Sequence, residues 1–329
     1  MKSRWFGFFA ILFLLAGLVA GQLWPRGIDQ GAAFNRNRNG IWLDVVWASQ
    51  SHSPAEVAAL ATDLADKGFR YAYVYVNSVQ ASGKPTTSTY VHARDFVQAA
   101  KAAAPDLQLL AWIGVVNQAR GQGSVDLENQ AVRDNLVAFC RELVTDVGFD
   151  GVQLDVEPLP NDSGNYLALL RETRAAIGST KVLGVAGHKW APAVVPSPEN
   201  YSSYWLSDYY RAVGALVDQV AVMTYDSYSP LPVVYRLFVR EQTLGVLQAL
   251  ADTQAEVLVG LPSYHEPRPN HNPLAENVAV GLTGVLDALS RVGPSGGDRF
   301  AGVAIYAHWE MDEGDWRTWE RLWLGRPGT

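Results

Sequence analysis

From residue 40 onward, short β-rich apolar runs alternate with longer stretches whose apolar residues recur at helical spacing. That alternation is the pattern of repeated βα units in an α/β protein. The runs predict strands at Ile41 to Trp47, Tyr71 to Asn77, Leu107 to Val116, Gly151 to Glu157, Val182 to Gly187, Val220 to Tyr225, Val257 to Leu261 and Ala301 to Tyr306. Between them, Pro54 opens a helical pattern that Gly68 closes, Glu128 to Val147 is strongly amphipathic, and the last helical pattern runs from Trp316 to Trp323. About eight such units over residues 40–329 match the length of a (β/α)8 TIM barrel. A doubly wound open sheet would carry a phosphate-binding glycine loop after its first strand, and Trp47-Ala48-Ser49-Gln50 is not one.

The first residues break this rhythm. Lys2 and Arg4 precede Trp5 to Gly21, a run with no charged or strongly polar side chain. A basic start before an apolar run of this length reads as a signal peptide or signal anchor over residues 1–22. Residues 23–39, with their Gly, Asn and Arg, read as a tether, which leaves 40–329 as the folded domain. The protein is therefore expected to be exported, and either secreted or held at the membrane by a single-pass anchor. Composition narrows the partners. A formal net charge of -7 leaves no basic surplus to neutralise phosphates, which argues against nucleic acid and favours neutral or weakly polar ligands. The single cysteine, Cys140, cannot close an intrachain disulfide or build a zinc site from several thiolates. It lies on an apolar helix face. The 11 tryptophans and 14 tyrosines supply flat faces of the kind that stack on sugar rings. With no phosphate loop or dinucleotide fingerprint, no cofactor is expected, nor any metal.

A barrel carries its chemistry at the C-terminal ends of its strands. The polar and aromatic residues there are Asp44, Trp47, Asn77, Trp112, Asn117, Asp155, Glu157, His188, Tyr225, Asp226, Tyr264, Tyr306 and Trp309. Some of the aromatics serve equally well as an upper packing layer. The fourth run is the most informative. Side chains alternate along a strand, so Gln153, Asp155 and Glu157 share one face while Val152, Leu154 and Val156 share the other. The apolar set packs under the helices; the polar set points into the barrel, with Glu157 nearest the mouth. Two acids buried on one strand repel each other and lose hydration, which raises at least one pKa and makes a general acid. An ion pair with an inward Arg or Lys is the plainer explanation, but no basic residue occupies an obvious strand end. Met223 and Tyr225 also share parity and face inward together.

These residues carry a resemblance. Asp150-Gly-Val-Gln153-Leu-Asp155-Val-Glu157 resembles the fourth-strand signature of glycoside hydrolase family 18, Asp-Gly-x-Asp-x-Asp-x-Glu, the family of chitinases and N-acetylglucosaminidases. Val220-Ala221-Val222-Met223-Thr224-Tyr225-Asp226 resembles that family's sixth-strand Met-Thr-Tyr-Asp motif. Gly302-Val303-Ala304-Ile305-Tyr306 resembles its eighth-strand run, with Tyr306 where a tryptophan usually floors the site. The resemblance implies retaining hydrolysis of an N-acetylhexosamine glycan, chitin-like or peptidoglycan-like, in which the sugar supplies the nucleophile. It implies Glu157 as general acid, Asp155 as the group that orients the acetamido substituent, and Tyr225 as a donor to its carbonyl oxygen. Asp226 and Met223 line the same subsite, floored by Tyr306 or Trp309. Two departures stand out. Gln153 replaces the middle aspartate, and Leu109-Leu110-Ala111-Trp112-Ile113-Gly114 lacks the Ser-x-Gly-Gly usual on the third strand.

Two rival functions follow from the same residues. One is a chitinase-like carbohydrate-binding protein that has lost turnover, favoured by Gln153 and opposed by the retained Glu157. The other is a barrel glycosidase whose nucleophile is a protein carboxylate, Asp226, Glu266 or Glu310, which needs about 5 to 5.5 Å between the carboxyl groups. Other patterns are read as loops. Gly293-Pro294-Ser295-Gly296-Gly297 matches a serine-hydrolase elbow but follows a helix and precedes a strand, the reverse of the required context. His265, Glu266 and His271 are separated by Pro267 and Pro269, which rules out a shared helical face, and His308, Glu310 and Asp312 form a loop after the last strand. The segments Asn77 to Tyr90, Pro192 to Trp205 and Pro262 to Leu274 are long enough to wall a groove.

Overall fold

A computed structural model describes residues 31–119, 122–192 and 204–326. The segment read as signal peptide or anchor, the first part of the tether and most of the loop Pro192 to Trp205 lie outside the described residues. Eight parallel strands, β1 (Asn39–Leu43), β2 (Phe69–Ser78), β3 (Gln108–Val116), β4 (Gly151–Glu157), β5 (Val182–Gly187), β6 (Gln219–Met223), β7 (Glu256–Pro262) and β8 (Phe300–Tyr306), close in the order β1-β8-β7-β6-β5-β4-β3-β2. This is the expected (β/α)8 barrel, helices outside. A two-stranded ribbon, Lys189–Ala191 with Tyr204–Leu206, follows β5.

Strand parity divides the core in two. Outward residues such as Val152, Leu154 and Val156 join the helices in one apolar layer that also contains Cys140. Inward residues form a separate cluster of Trp42, Tyr71, Tyr73, Leu110, Trp112, Leu258 and small alanines. The helices start where the sequence offers caps. Ser53 caps the helix Pro54–Asp66 through a reciprocal pair with Glu56, with Pro54 at the first position. Asn129, Ser163 and Asn277 cap later helices through their side chains. The amphipathic stretch at Gln130–Glu142 ends in a wide turn, Leu143–Val147, and Gly148 at φ 104° reverses the chain into β4.

The structure corrects several sequence expectations. The first strand ends at Leu43, and Val46–Ser49 forms a helical turn, because Asp44 accepts from the Val46 amide and bends the chain there. The sixth strand ends at Met223, two residues early. The helix Val278–Gly296 takes in most of the Gly-x-Ser-x-Gly stretch read as a loop. Residues 31–39, read as tether, are docked under the barrel. Gly31 is buried, Arg36 donates to the Gly297 and Asp298 carbonyls, and Asn39 is wholly buried at the start of β1. The Asn39 amide donates to Gly68 O at 2.8 Å and accepts from Trp323 Nε1 at 2.9 Å and Val303 N at 3.0 Å, tying β1, β2, β8 and the C-terminal turn together. Among the described residues, no helix is long and apolar enough to cross a membrane.

Candidate active site

The site is built on β4. Gln153 is wholly buried, Asp155 is partly covered, and Glu157, the last residue of the strand, reaches the mouth with 55% of its side chain exposed. Tryptophans from β1, across the barrel, and from the neighbouring β3 hold the lower two. Trp42 Nε1 donates to Gln153 Oε1 at 2.8 Å, and Trp112 Nε1 donates to Asp155 Oδ2 at 2.9 Å. An indole N–H only donates, so it fixes the Gln153 amide with its oxygen toward Trp42. Gln153 Nε2 and Asp155 Oδ1 are left without partners among the described residues, one a donor and one an acceptor on the same face. Asn117 secures the end of the strand. Its backbone N–H donates to the Glu157 carbonyl and its side-chain amide to the Pro158 carbonyl, each at 2.9 Å.

Aromatic rings make the floor and one wall. Tyr306 lies nearly parallel to Tyr225 at 5.2 Å between centroids, and meets Trp42, Trp112, Tyr264 and Trp309 edge-on. Met223 packs with Tyr225 and Ala186 beside it. Ser263 brackets the residue after this floor: its Oγ donates to Ala307 O at 2.7 Å and accepts from Ala307 N at 2.8 Å. Tyr264 OH donates to Asp226 Oδ1 at 2.7 Å, orienting the acid that follows Tyr225. The turn beyond Asp226 is held from beneath by Glu276, a wholly buried carboxylate. It accepts from Ser227 N at 3.2 Å, Ser227 Oγ at 2.9 Å and Ser229 N at 3.2 Å. Between these anchors Tyr228 stands at φ 59° with 74% of its surface exposed.

A cavity of about 410 Å³ opens over Asp155 and Glu157 and is lined further by Asp44, Tyr75, Ser78, Trp112, Tyr306 and Trp309. Its opening depends on Gly114, paired with Asp155 in register, where a Cβ would sit 2.7 Å from Ser78 Oγ. The register of β2 slips between Tyr75 and Asn77, so Tyr75 and Ser78 both reach the cavity and hydrogen-bond at 2.6 Å.

Electrostatics separate the acids from ordinary carboxylates. Burial raises the pKa of Asp155, and the Trp112 hydrogen bond partly opposes it. Glu157 is raised by loss of hydration at the base of the mouth and then by the charges of Asp155 and Asp226, with Lys189 opposing. Both carboxyls titrate as a pair above the usual range. Tyr225 is raised well above its ordinary value by burial first, so it remains a hydroxyl donor.

Of the residues singled out from sequence, Asp44, Trp112, Asp155, Glu157, Tyr306 and Trp309 line the cavity. Gln153 lies below it and Met223, Tyr225, Asp226 and Tyr264 flank it through the contacts above. Trp47 does not belong to this set: on its helical turn it stacks against His52 and packs on Phe96 in the outer layer. The histidines of the Pro262 to Leu274 segment part company. His265 lies 3.0 Å from Asp315 and 3.6 Å from Asp312, acids that already cap the helix Glu313–Thr318. His271 instead turns inward to Glu276. Glu266 is exposed. Trp42, Ser263 and Glu276 were missed by sequence reasoning. Trp42 shares parity with Asp44 and was findable; nothing local marks Glu276.

Known proteins agree with this architecture. The structure is similar to the C-terminal domain of a putative chitinase from Desulfitobacterium hafniense DCB-2, with TM-score 0.60 and 18% identity over 88% of this chain and 98% of that one. It is similar to a chitinase from Chromobacterium violaceum, with TM-score 0.58 and 16% identity over 87% and 98% of the two chains. It is also similar to the spore cortex-lytic enzyme SleL of Bacillus megaterium, with TM-score 0.58 and 13% identity over 87% and 73%. A search of curated protein sequences finds no match. The model of the glycosyl hydrolases family 18 matches residues 49–313, which include β4 with its two acids, β6 and β8. The chain is a glycosidase that belongs to glycosyl hydrolase family 18.

Proposed function

We propose that this glycosidase hydrolyses a glycan containing N-acetylhexosamine, chitin-like or peptidoglycan-like, with retention at the anomeric carbon and the substrate's own acetamido group as nucleophile. The observation that carries this reading is the Asp155 and Glu157 pair lining one aromatic-walled cavity, with Asp155 clamped by Trp112. Glu157, kept protonated, gives its proton to the glycosidic oxygen as the bond to the anomeric carbon breaks. The acetamido carbonyl oxygen closes onto that carbon to form an oxazolinium ion. Asp155 accepts from the acetamido N–H and offsets the positive charge, while Tyr225 donates to the carbonyl oxygen and aligns it. Water then adds to the anomeric carbon, yielding a proton to Glu157, and the ring opens.

Structural neighbours named as chitinases and as a cortex-lytic enzyme support both glycan classes. A protein nucleophile is less well supported: the charges acting on Glu157 are those of Asp155, Lys189 and Asp226, and Tyr264 already engages Asp226. The test is hydrolysis of N-acetylglucosamine oligomers and peptidoglycan fragments by the parent and by Glu157→Gln, with binding recorded beside it. The substitution is expected to cost about 10²- to 10⁴-fold in kcat while binding persists. Undiminished turnover in the variant would remove Glu157 from the mechanism. In the same reading residues 1–22 export the domain and either leave it or anchor it. Fractionating cells that express the full chain tests this: recovery in the cytoplasm would contradict it.

A further inference from the structure

His188 lies just beyond β5 and is 2% exposed. Its Nε2 is 3.2 Å from the Val156 carbonyl oxygen, one residue before the acid on β4. A carbonyl only accepts, so Nε2 carries the hydrogen, and in the neutral imidazole the lone pair is then on Nδ1. That atom faces Glu157 Oε1 at 3.8 Å. The ring has little freedom to turn, because Trp205 meets it edge-on at 5.0 Å between centroids and Tyr210 OH donates to the His188 carbonyl.

We infer that His188 is a positioning residue for the acid, its bare Nδ1 favouring the protonated Glu157 carboxyl over the carboxylate and fixing which oxygen bears the proton. The inference rests on the reading of Glu157 as the acid. A lone pair facing an ionised carboxylate opposes it. A carboxyl with its proton on Oε1 removes that opposition and, by closing about 1 Å, forms an O–H···N hydrogen bond. The imidazole does not take the proton itself: burial pushes its pKa down to about 4, the Val156 bond opposes this and the Lys189 charge adds to it. The other charged groups facing Glu157 are Asp155, Asp226 and Lys189. Among these neighbours His188 acts as a neutral acceptor. When the glycosidic oxygen enters, it competes with Nδ1 for the same proton, and Glu157 delivers it. In the second half-reaction the carboxylate again faces a lone pair, which favours its recovery of a proton from the attacking water. His188 stays neutral throughout.

Two substitutions separate the ring's two nitrogens. His188→Gln keeps a donor near the Nε2 position and loses the Nδ1 acceptor; His188→Asn places an amide oxygen near Nδ1 and loses the donor. The alkaline limb of the kcat/KM pH profile is expected to move down by about one unit in the Gln variant and to stay in place in the Asn variant. A merely structural histidine leaves the limb unmoved in the Gln variant as well, with stability lost most in Asn, and that outcome overturns the inference. The parent itself supplies a measurement independent of activity and of variant folding: imidazole 15N shifts of the full chain between about pH 5 and 8. A neutral ring with hydrogen on Nε2 throughout is expected. Hydrogen on Nδ1, or protonation in that range, overturns the inference. Should Glu157 not be the acid, Glu157→Gln retains turnover whatever the His188 tautomer, so the two failures are told apart.

Discussion

The Trp112 indole is the one hydrogen-bond donor to Asp155 among the described residues, at 2.9 Å on Oδ2. Trp112→Phe keeps most of the ring's bulk and removes that donor. A hydrogen bond to a charged group contributes about 1.5–3 kcal/mol, so kcat is expected to fall roughly 10- to 100-fold with KM little changed. Steady-state kinetics on an N-acetylglucosamine oligomer checks this; a change confined to KM would place Trp112 in binding alone. The pair of acids was legible from alternation along one strand, because parity is a purely local property. The Trp112 role was not: strand-end position named the residue, while its partner lies 43 positions away on the next strand. Gln153 is the departure with the clearest structural answer, since Trp42 takes its oxygen and its amide nitrogen is left without a partner among the described residues.

At the scale of elements, the turn after β6 is set by a residue from elsewhere. Glu276, itself wholly buried, receives the Ser227 and Ser229 amides, and so fixes Asp226 and Tyr228, both at positive φ. Glu276→Ala leaves the buried Ser229 amide unpaired, which is expected to cost about 1–3 kcal/mol of stability. Because the same turn carries Asp226, kcat/KM should fall as well. Urea unfolding and kinetics on one preparation check the two effects; stability lost with kinetics unchanged would mean the turn does not serve the site. Glu276 had no sequence signal, since a lone acid in a loop looks like a solvated one. The slip in β2 was equally hidden. Alternation cannot place both Tyr75 and Ser78 on the cavity side, and it is the extra residue that brings them there. Trp47 failed for the converse reason: the chain leaves β1 at Leu43, after which strand parity no longer applies.

For the whole molecule, eight apolar runs with caps between them sufficed to specify the barrel, because each βα unit is a local pattern repeated. The far end of the chain was harder to read. Asn- and Arg-rich residues 31–39 resemble a linker, yet Asn39 satisfies donors from β8 and the C-terminal turn, contacts more than 260 positions distant. The site also sets how stability varies with pH. Glu157 has a folded-state pKa raised above its ordinary 4.5, so between those values the native state binds more protons than the unfolded chain. Its contribution is neutral below the ordinary value, and becomes destabilising as pH rises through this window. Glu157→Gln is therefore expected to melt above the parent at neutral pH, with the advantage gone near about pH 4. Thermal melts of both proteins across that range check the sign; a variant less stable at neutral pH would show that Glu157 is not held in its protonated form.

The most direct test of the central claim compares two oligosaccharides of equal length, one N-acetylated and one with free amines, and follows the anomer first released by proton NMR. An acetamido nucleophile aligned by Asp155 and Tyr225 predicts hydrolysis of the acetylated substrate alone, with the anomeric configuration retained in the initial product. Comparable cleavage of the free-amine substrate, or an inverted first product, would contradict it.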